Sequence, residues 1–596
     1  MLKNLIKKYF NNFSFFYSYF GYRMFVSIGL SIAVGVLDGF GIAMFLPLLQ
    51  MVSDQGVSDP DSLGYMEFFV KAYDSIGVEM NLAVILFTMV IFFILKGIAT
   101  YVKASYNVYL LELFSRKLRI QTLKGINGIN FKTFVASDMG RIQNAMTGEV
   151  DRLVRAKLSY FSTIQQSVMV MVYAIFAFMT DYRFAILVIL GGLTTNFFYQ
   201  LVYKKTKKAS RELSYQYDVY EGKIIQHVRN FKYIKATGLL NYFGERLRNT
   251  ILDIQASRVR IGMLSAFMTA TREPIMVVIV ALVIFIQTTY LGGELGTILL
   301  SLLFFYRALT SVTLLQNSWN QYLTVFGSIA NMKDFLKHLK DHKESNGQET
   351  IKSINKGIDL SNITFKYGNT VILKSLSLRI KHNESVAFVG ESGSGKTTLV
   401  NILAALLPVN SGKYMIDGIP VENIDRGSYQ QRIGYITQEP VVFNDTIFNN
   451  ITLWAEKSEK SQRRFELAIE QASLSEFLSE LENGQETELG HNGINMSGGQ
   501  RQRLSIAREL YKDIDILIMD EATSALDSET ERSIQENIEA LQGQYTLLIV
   551  AHRLSTIRNV DRVVFMDKGE IIVEGNFERL AETFPKFKKM IELQEL

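Results

Sequence analysis

The chain of 596 residues contains no cysteine, which excludes disulfides and thiolate metal sites outright. It has only six histidines, so a zinc centre is not expected either. Charge is also scarce: charged residues make up 20% of the chain, against 48% hydrophobic ones. A net charge of +5, scattered along the sequence, does not describe a nucleic-acid-binding surface. No cleavable signal peptide is expected from the opening residues either. The opening "MLKNLIKKYFNNFSFFYSYF" interleaves Lys3, Lys7 and Lys8 with Leu2, Leu5, Ile6, Tyr9 and Phe10, and has no uninterrupted apolar core. It reads as a helix lying in a membrane interface, cations toward phosphates and aromatics toward acyl chains.

What the chain does have is long apolar runs. About 20 residues of helix cross the roughly 30 Å of hydrocarbon in a bilayer. Six stretches qualify: Met24–Val52, Leu82–Tyr101, Phe161–Thr180, Phe184–Tyr203, Pro274–Leu291 and Leu295–Leu315. Residues 103–160 carry ten Lys/Arg against four Asp/Glu, and residues 204–272 carry fourteen against five. Residues 53–80 hold six acids and one lysine. Basic connections stay in the cytoplasm, so both long loops and both termini are expected inside. "YMEFFVKAYDSI" within 53–80 has helical apolar spacing and suggests a short outer amphipathic helix. The long loops keep a helical pattern and read as extensions of the spans beyond the bilayer. The expected organisation is a membrane domain over 1–335, a polar linker over 336–356 and an α/β domain over 357–596.

In that second half, "SVAFVGESGSGKTTLVNILAAL" is a strand, a glycine-rich turn and a helix. Gly390, Gly395, Lys396 and Thr397 fit the phosphate-binding loop pattern, whose backbone N–H groups close around phosphates at a helix N-terminus. Ser392, Gly393, Ser394 and Thr398 complete the cradle. Lys396 would reach the β/γ-phosphates and the Thr397 hydroxyl would hold Mg²⁺. Downstream, "DILIMDE" is an apolar strand ending in two carboxylates, Asp520 placed to organise Mg²⁺ and Glu521 to orient or deprotonate the attacking water.

Between these two lies "MSGGQRQR" (Met496–Arg503), and with it the half resembles the ATP-binding cassette (ABC) family. The resemblance implies that Ser497, Gly498, Gly499 and Gln500 contact ATP held by a second cassette. It implies that Tyr367 stacks on adenine, Gln438 senses Mg²⁺, Asp527 communicates across the dimer and His552 contacts the γ-phosphate. Met496 departs from the commoner leucine, and His491 stands where exporters of this class often have glutamate. One cassette behind six spans resembles an ABC exporter half-transporter. The fold expected is an all-α six-helix transmembrane domain with an α/β P-loop nucleotide-binding domain. It would work as a homodimer, or paired with a related half-transporter, using ATP and Mg²⁺ in a bacterial inner membrane. "MGRIQNAMTGEVDRL" (Met139–Leu153) and "RNFKYIKATG" (Arg229–Gly238) look like its two coupling-loop regions.

Four charges fall in or beside the spans: Asp38, Lys96, Arg272 and Arg307. Ionisable groups in hydrocarbon are expensive and usually functional. Lys96 can pair with Asp38, and Arg272 sits at a boundary from which it can snorkel. Arg307, in "LLFFYRALTSVTLL", is the strongest candidate for a functional anion contact, with Lys96 and Arg272 as further cavity cations. The membrane half resembles the bacterial flippase of lipid-linked oligosaccharides in "TGEV" (Thr147–Val150), "NFKYIK" (Asn230–Lys235) and "YR" (Tyr306–Arg307). That resemblance implies an amphiphilic cargo with a pyrophosphate between tail and glycan. Export of drugs, other lipids or peptides is the alternative within the class.

Overall fold

The computed structural model describes residues 13–45, 47–48, 73, 77, 81–180, 182–286, 295–490, 493–520, 536, 539–551 and 553–594. The expected outer helix over 65–76, apart from the single residue Tyr73, and the cationic start of the chain, residues 1–12, lie outside these. The chain divides into two compact units. One is Met1–Ile129 with Ala136–Lys343; the other is Asn130–Val135 with Glu344–Leu596.

The first unit is helical. Residues 13–20 form a helical turn whose rings pack inward: Phe16 stacks on Tyr160 at 5.0 Å, and Tyr19 and Phe20 meet Phe114 at 5.1 and 5.6 Å. Then come α1 (Arg23–Ala43), α2 (Leu82–Asn127), and α3 (Phe131–Ala136), which is the short helix that groups with the second unit. They are followed by α4 (Met139–Met146), α5 (Gly148–Thr180), α6 (Tyr182–Arg229), α7 (Phe231–Ala236), α8 (Leu240–Ile286), α9 (Leu295–Thr324) and α10 (Phe326–Asp341). At 1.5 Å per residue, the 46 residues of α2 and 48 of α6 reach about 70 Å, more than twice the hydrocarbon thickness. The basic loops are therefore helix, continuous with the spans. Among the described residues, three helices are long and apolar enough to cross a membrane by composition: Arg23–Ala43, Leu82–Asn127 and Met139–Met179.

Close helix approaches are made at glycine. α4 crosses α6 where a Cβ on Gly140 would stand 2.3 Å from the Gly222 nitrogen. Backbone cannot yield there as a flexible side chain could, so Gly140→Ala must push the two helices apart. Overpacking of this kind costs about 1–3 kcal/mol. The expected result is a lower unfolding temperature for Gly140→Ala in detergent, with Gly262→Ala, whose Cβ meets nothing within 4 Å, as the silent control.

The second unit carries two sheets. β1 (Gly357–Tyr367), β2 (Thr370–Lys381), β4 (Ser411–Ile416) and β5 (Ile419–Pro420) form an antiparallel sheet in the order β2-β1-β4-β5. β3 (Ser385–Val389), β6 (Ile433–Ile436), β7 (Ile516–Asp520), β8 (Thr546–Val550), β9 (Arg562–Asp567) and β10 (Glu570–Gly575) form the other, in the order β10-β9-β3-β8-β7-β6. In it β9, β3, β8, β7 and β6 run parallel and β10 closes the edge antiparallel. β3 and β8 are buried over all five residues each, as expected of strands covered on both faces. One core lies between the two sheets, with Phe365, Phe388, Leu399 and Ile518; Phe131 of α3 packs at its margin. The other, with Phe448, Phe465, Leu504 and Met519, lies on the opposite face.

The order β3-β8-β7 places the C-terminal ends of these strands side by side. Ligands of open α/β sheets bind at that edge.

Candidate functional site

β3 ends at Val389, and the next six residues turn into α11 (Lys396–Leu403). The turn requires glycine at its extremes. Gly390 has φ +151°, with its Cβ direction 2.1 Å from the Met566 carbonyl oxygen; Gly395, at φ +103°, caps α11 in the left-handed region. Lys396 is buried and donates from Nζ to the Gly390 and Glu391 carbonyls at 2.8 and 3.0 Å, folding its cation back over the loop. Ser394 is buried as well, and its Oγ has no hydrogen-bond partner. A cation and an unused hydroxyl facing a turn of backbone amides suit a phosphate chain. Ser392, Gly393 and Thr397 are exposed and Thr398 half-buried, as a surface that receives a ligand requires.

Asp520 is the last residue of β7, paired in register with Val550 of β8. It accepts from the Tyr435 hydroxyl at 3.4 Å, and that hydroxyl also reaches Asn401 Oδ1, on α11, at 3.2 Å. Burial, with the neighbouring Asp520 carboxylate adding to it, pushes the Tyr435 phenol up, so it stays a proton donor at any physiological pH. Tyr435 thus ties strand β6 to the phosphate loop and to the carboxylate. Neither Tyr435 nor Asn401 is singled out by sequence reasoning. The signal was a tyrosine two residues ahead of the strand-end segment that carries Gln438, which is exposed here.

Ser497 caps the signature helix α12 (Gly498–Tyr511): its Oγ accepts from the Gln500 amide at 3.2 Å while Gln500 Oε1 accepts from the Ser497 amide at 2.8 Å. This reciprocal capping box leaves the helix N-terminus, with Gly498 and Gly499, turned to the surface. Met496 is buried in the core with Leu489 and Leu504, an apolar setting that an adaptable methionine side chain can fill in place of leucine. Farther along α12, Arg508 is buried and donates to the Asn450 carbonyl at 2.7 Å, Asn450 Oδ1 at 2.9 Å and the Val441 carbonyl at 2.7 Å. Burial pulls this guanidinium's pKa below its ordinary value. It locks the segment after Gln438 to the signature helix.

Tyr367 ends β1, half exposed, edge-on to Phe365 at 4.9 Å. Lys132 of α3 lies 5.7 Å above its ring and donates to the Lys366 carbonyl at 3.0 Å. Glu521, Asp527, His552 and His491 lie outside the described residues, immediately after β7, beyond it, after β8 and before the signature respectively.

In the first unit, Asp38 is buried and forms an ion pair with Lys96 at 2.6 Å; the Tyr173 hydroxyl donates to its other oxygen. Arg307 makes no hydrogen bond or ion pair among the described residues. Its neighbours Phe304 and Ala308 pack against Val172, Tyr173 and Phe176 of α5. Arg272 does not snorkel: it is 3% exposed, donating from Nη1 to Asn317 Oδ1 at 2.7 Å, while Nε and Nη2 are buried with no acceptor.

A phosphate loop and a strand-end carboxylate on one sheet edge, with a capped signature helix in the same unit and a chain whose other half is helical and apolar, define an ATP-driven membrane transporter. The comparisons agree. Residues 24–317 match the model of the ABC transporter transmembrane region, and residues 373–524 match that of the ABC transporter. The "ATP-dependent lipid A-core flippase" of Ralstonia nicotianae is 30% identical over 489 residues, 80% of this chain and 82% of that protein. The one of Syntrophus aciditrophicus is 38% identical over 302 residues, about half of each chain. A solved structure titled "Structure of a bacterial Atm1-family ABC exporter with ATP bound" superposes with TM-score 0.78 at 21% identity, covering 96% of this chain and 98% of that one. The chain belongs to the ABC transporter family. It is an ABC exporter, and it couples ATP hydrolysis to transport.

Proposed function

We propose that this exporter is a flippase that moves an anionic amphiphile, a lipid-linked saccharide, from the inner to the outer leaflet. The observation that carries the reading is Arg307, a cation in an apolar helix with no counter-ion among the described residues, while the buried carboxylate of Asp38 is already neutralised by Lys96. An uncompensated cation in hydrocarbon is best satisfied by an anion that visits. A guanidinium fork suits phosphate oxygens in particular. Arg272, buried with two donor nitrogens unused, adds a second such group, whereas Lys96 is committed to Asp38. Two of the most similar curated proteins are themselves named lipid A-core flippases.

In this reading the protein is a homodimer in a bacterial inner membrane, with both termini and the cassettes cytoplasmic. Each phosphate loop faces the signature helix of the other copy. Mg²⁺, held by Thr397, Gln438 and Asp520, would neutralise charge on the transferring phosphoryl group. Lys396 leaves the Gly390 carbonyl for the β/γ-phosphates, Glu521 orients the water and His552 contacts the γ-phosphate. Joining and release of the cassettes then alternate the membrane domain between its two faces.

The test is flipping of a polyprenyl-pyrophosphate oligosaccharide in proteoliposomes. Wild type is expected to flip it. Loss of one charge-assisted contact of about 1.5–3 kcal/mol predicts a roughly 10- to 100-fold slower transport for Arg307→Ala, with basal ATP hydrolysis kept. Wild-type hydrolysis with no movement of this lipid would leave the exporter and remove the cargo; stimulation by hydrophobic drugs instead would favour drug export.

A further inference from the structure

The membrane unit holds a second basic site, away from Lys96, Arg272 and Arg307 and on the helix segments that the charge pattern assigns to the cytoplasm. The cytoplasmic parts of α5, α6, α8 and α9 line an open pocket of about 590 Å³, with Arg152, Arg155, Ser159, Tyr217, Arg258 and Gln321 among its walls and Arg155 and Arg258 at its exposed rim. That volume lies in the range of small-molecule sites.

Two guanidinium groups share one ring there. Arg152 lies 4.7 Å and Arg258 5.5 Å from the centre of Tyr217, and Arg258 also donates to the Tyr217 hydroxyl. Like charges gathered on one aromatic ring repel, so the arrangement needs negative charge nearby. Arg152 has part of it, from Glu149 at 3.1 Å, with further donation to Asn144 Oδ1 at 2.7 Å and Ser328 Oγ at 3.0 Å. The acid in the cavity lining, Asp151, pairs with Arg119 at 3.2 Å. Arg155 and Arg258 have no carboxylate partner among the described residues. Three planar forks, an aromatic wall and the Ser159 and Gln321 side chains surround a space that has a surplus of positive charge.

We infer that this cavity is a cytoplasmic anion site that takes a phosphate or pyrophosphate group. The group arrives either on the head of an inner-leaflet lipid or on a free solute. Arg155 and Arg258 supply the uncommitted charge; Arg152, held by Glu149 and Asn144, fixes the position of Tyr217. The inference does not depend on what Arg307 contacts.

The chain's two tryptophans are Trp319 and Trp454, and Trp319 stands two residues before Gln321 on α9. Full-length Trp454→Phe protein, also carrying Lys396→Met so that the phosphate loop does not bind the probe, leaves Trp319 as sole reporter in nanodiscs. Inorganic pyrophosphate is titrated into phosphatidylcholine nanodiscs; separately, the phosphatidic acid content of the nanodiscs is raised. A saturable Trp319 change is expected with at least one: with pyrophosphate the site serves free anions, with phosphatidic acid a lipid head. Arg155→Gln with Arg258→Gln is expected to weaken half-saturation at least tenfold. Lysine at both positions should restore it to within about threefold, and the exposed Arg248→Gln should leave it unchanged. The inference is overturned by no saturation with either probe, or by a glutamine double variant within threefold of its parent. It is overturned equally if Arg248→Gln weakens binding as much, or if Arg307→Ala removes the signal, since the anion would then sit elsewhere.

Discussion

Glu521→Gln is expected to lower steady-state ATP turnover by about 10²- to 10⁴-fold, the usual contribution of a positioned general base, while nucleotide still binds. The reasoning starts from β7. Its first four residues are apolar and buried, and the fifth, Asp520, is half-buried and faces Tyr435; Glu521 is the next residue in the sequence. A glutamine keeps the size of a glutamate side chain but not its basicity. Lys396→Met should fail differently. Its Nζ is the buried cation of the loop, so removing it should weaken nucleotide binding itself. Turnover and binding of a fluorescent ATP analogue, measured on both variants in nanodiscs, separate the two losses. Equal weakening of binding by Glu521→Gln would remove its assignment as the base.

Asp38→Asn should be the most damaging single change in the membrane half. It leaves Lys96 with no counter-charge in an apolar helix and the Tyr173 hydroxyl with a poorer acceptor. Breaking a buried pair by removing one partner costs about 3–5 kcal/mol, whereas replacing both partners with neutral groups is often close to silent. The expected result is a marked fall in the thermal unfolding midpoint for Asp38→Asn, and recovery of most of it in Asp38→Asn with Lys96→Met. A double variant no more stable than the single one would show that Lys96 is not held there by charge.

Motifs read well from the sequence where the chemistry is local. Gly390, Gly395, Lys396 and Ser497 lie in short segments whose backbone turns and caps are dictated by the residues themselves. Long helices were legible for the same reason, since a 3.6-residue pattern needs no partner to be recognised. What did not read well is whatever joins distant segments. Tyr435 and Asn401 meet at Asp520 only because β6 lies beside β7 in the sheet. Arg152, Tyr217 and Arg258 belong to three helices, and singly each is an ordinary charged or aromatic residue on a helix face. A segment that motif likeness leaves out behaves the same way: Asn130–Val135 groups with the second unit, where Phe131 packs at the margin of a core. A phenylalanine flanked by Asn130 and Lys132 was the only cue.

The length of α6 has a mechanical consequence. It runs 48 residues with no proline, so its hydrogen-bond ladder resists bending and it behaves as a stiff rod. For a rod of about 70 Å pivoting at one end, a tilt of only about 5° displaces the other end by about 6 Å. Movements at the cytoplasmic end too slight to break any side-chain contact would therefore arrive at the far end as displacements wider than a water molecule.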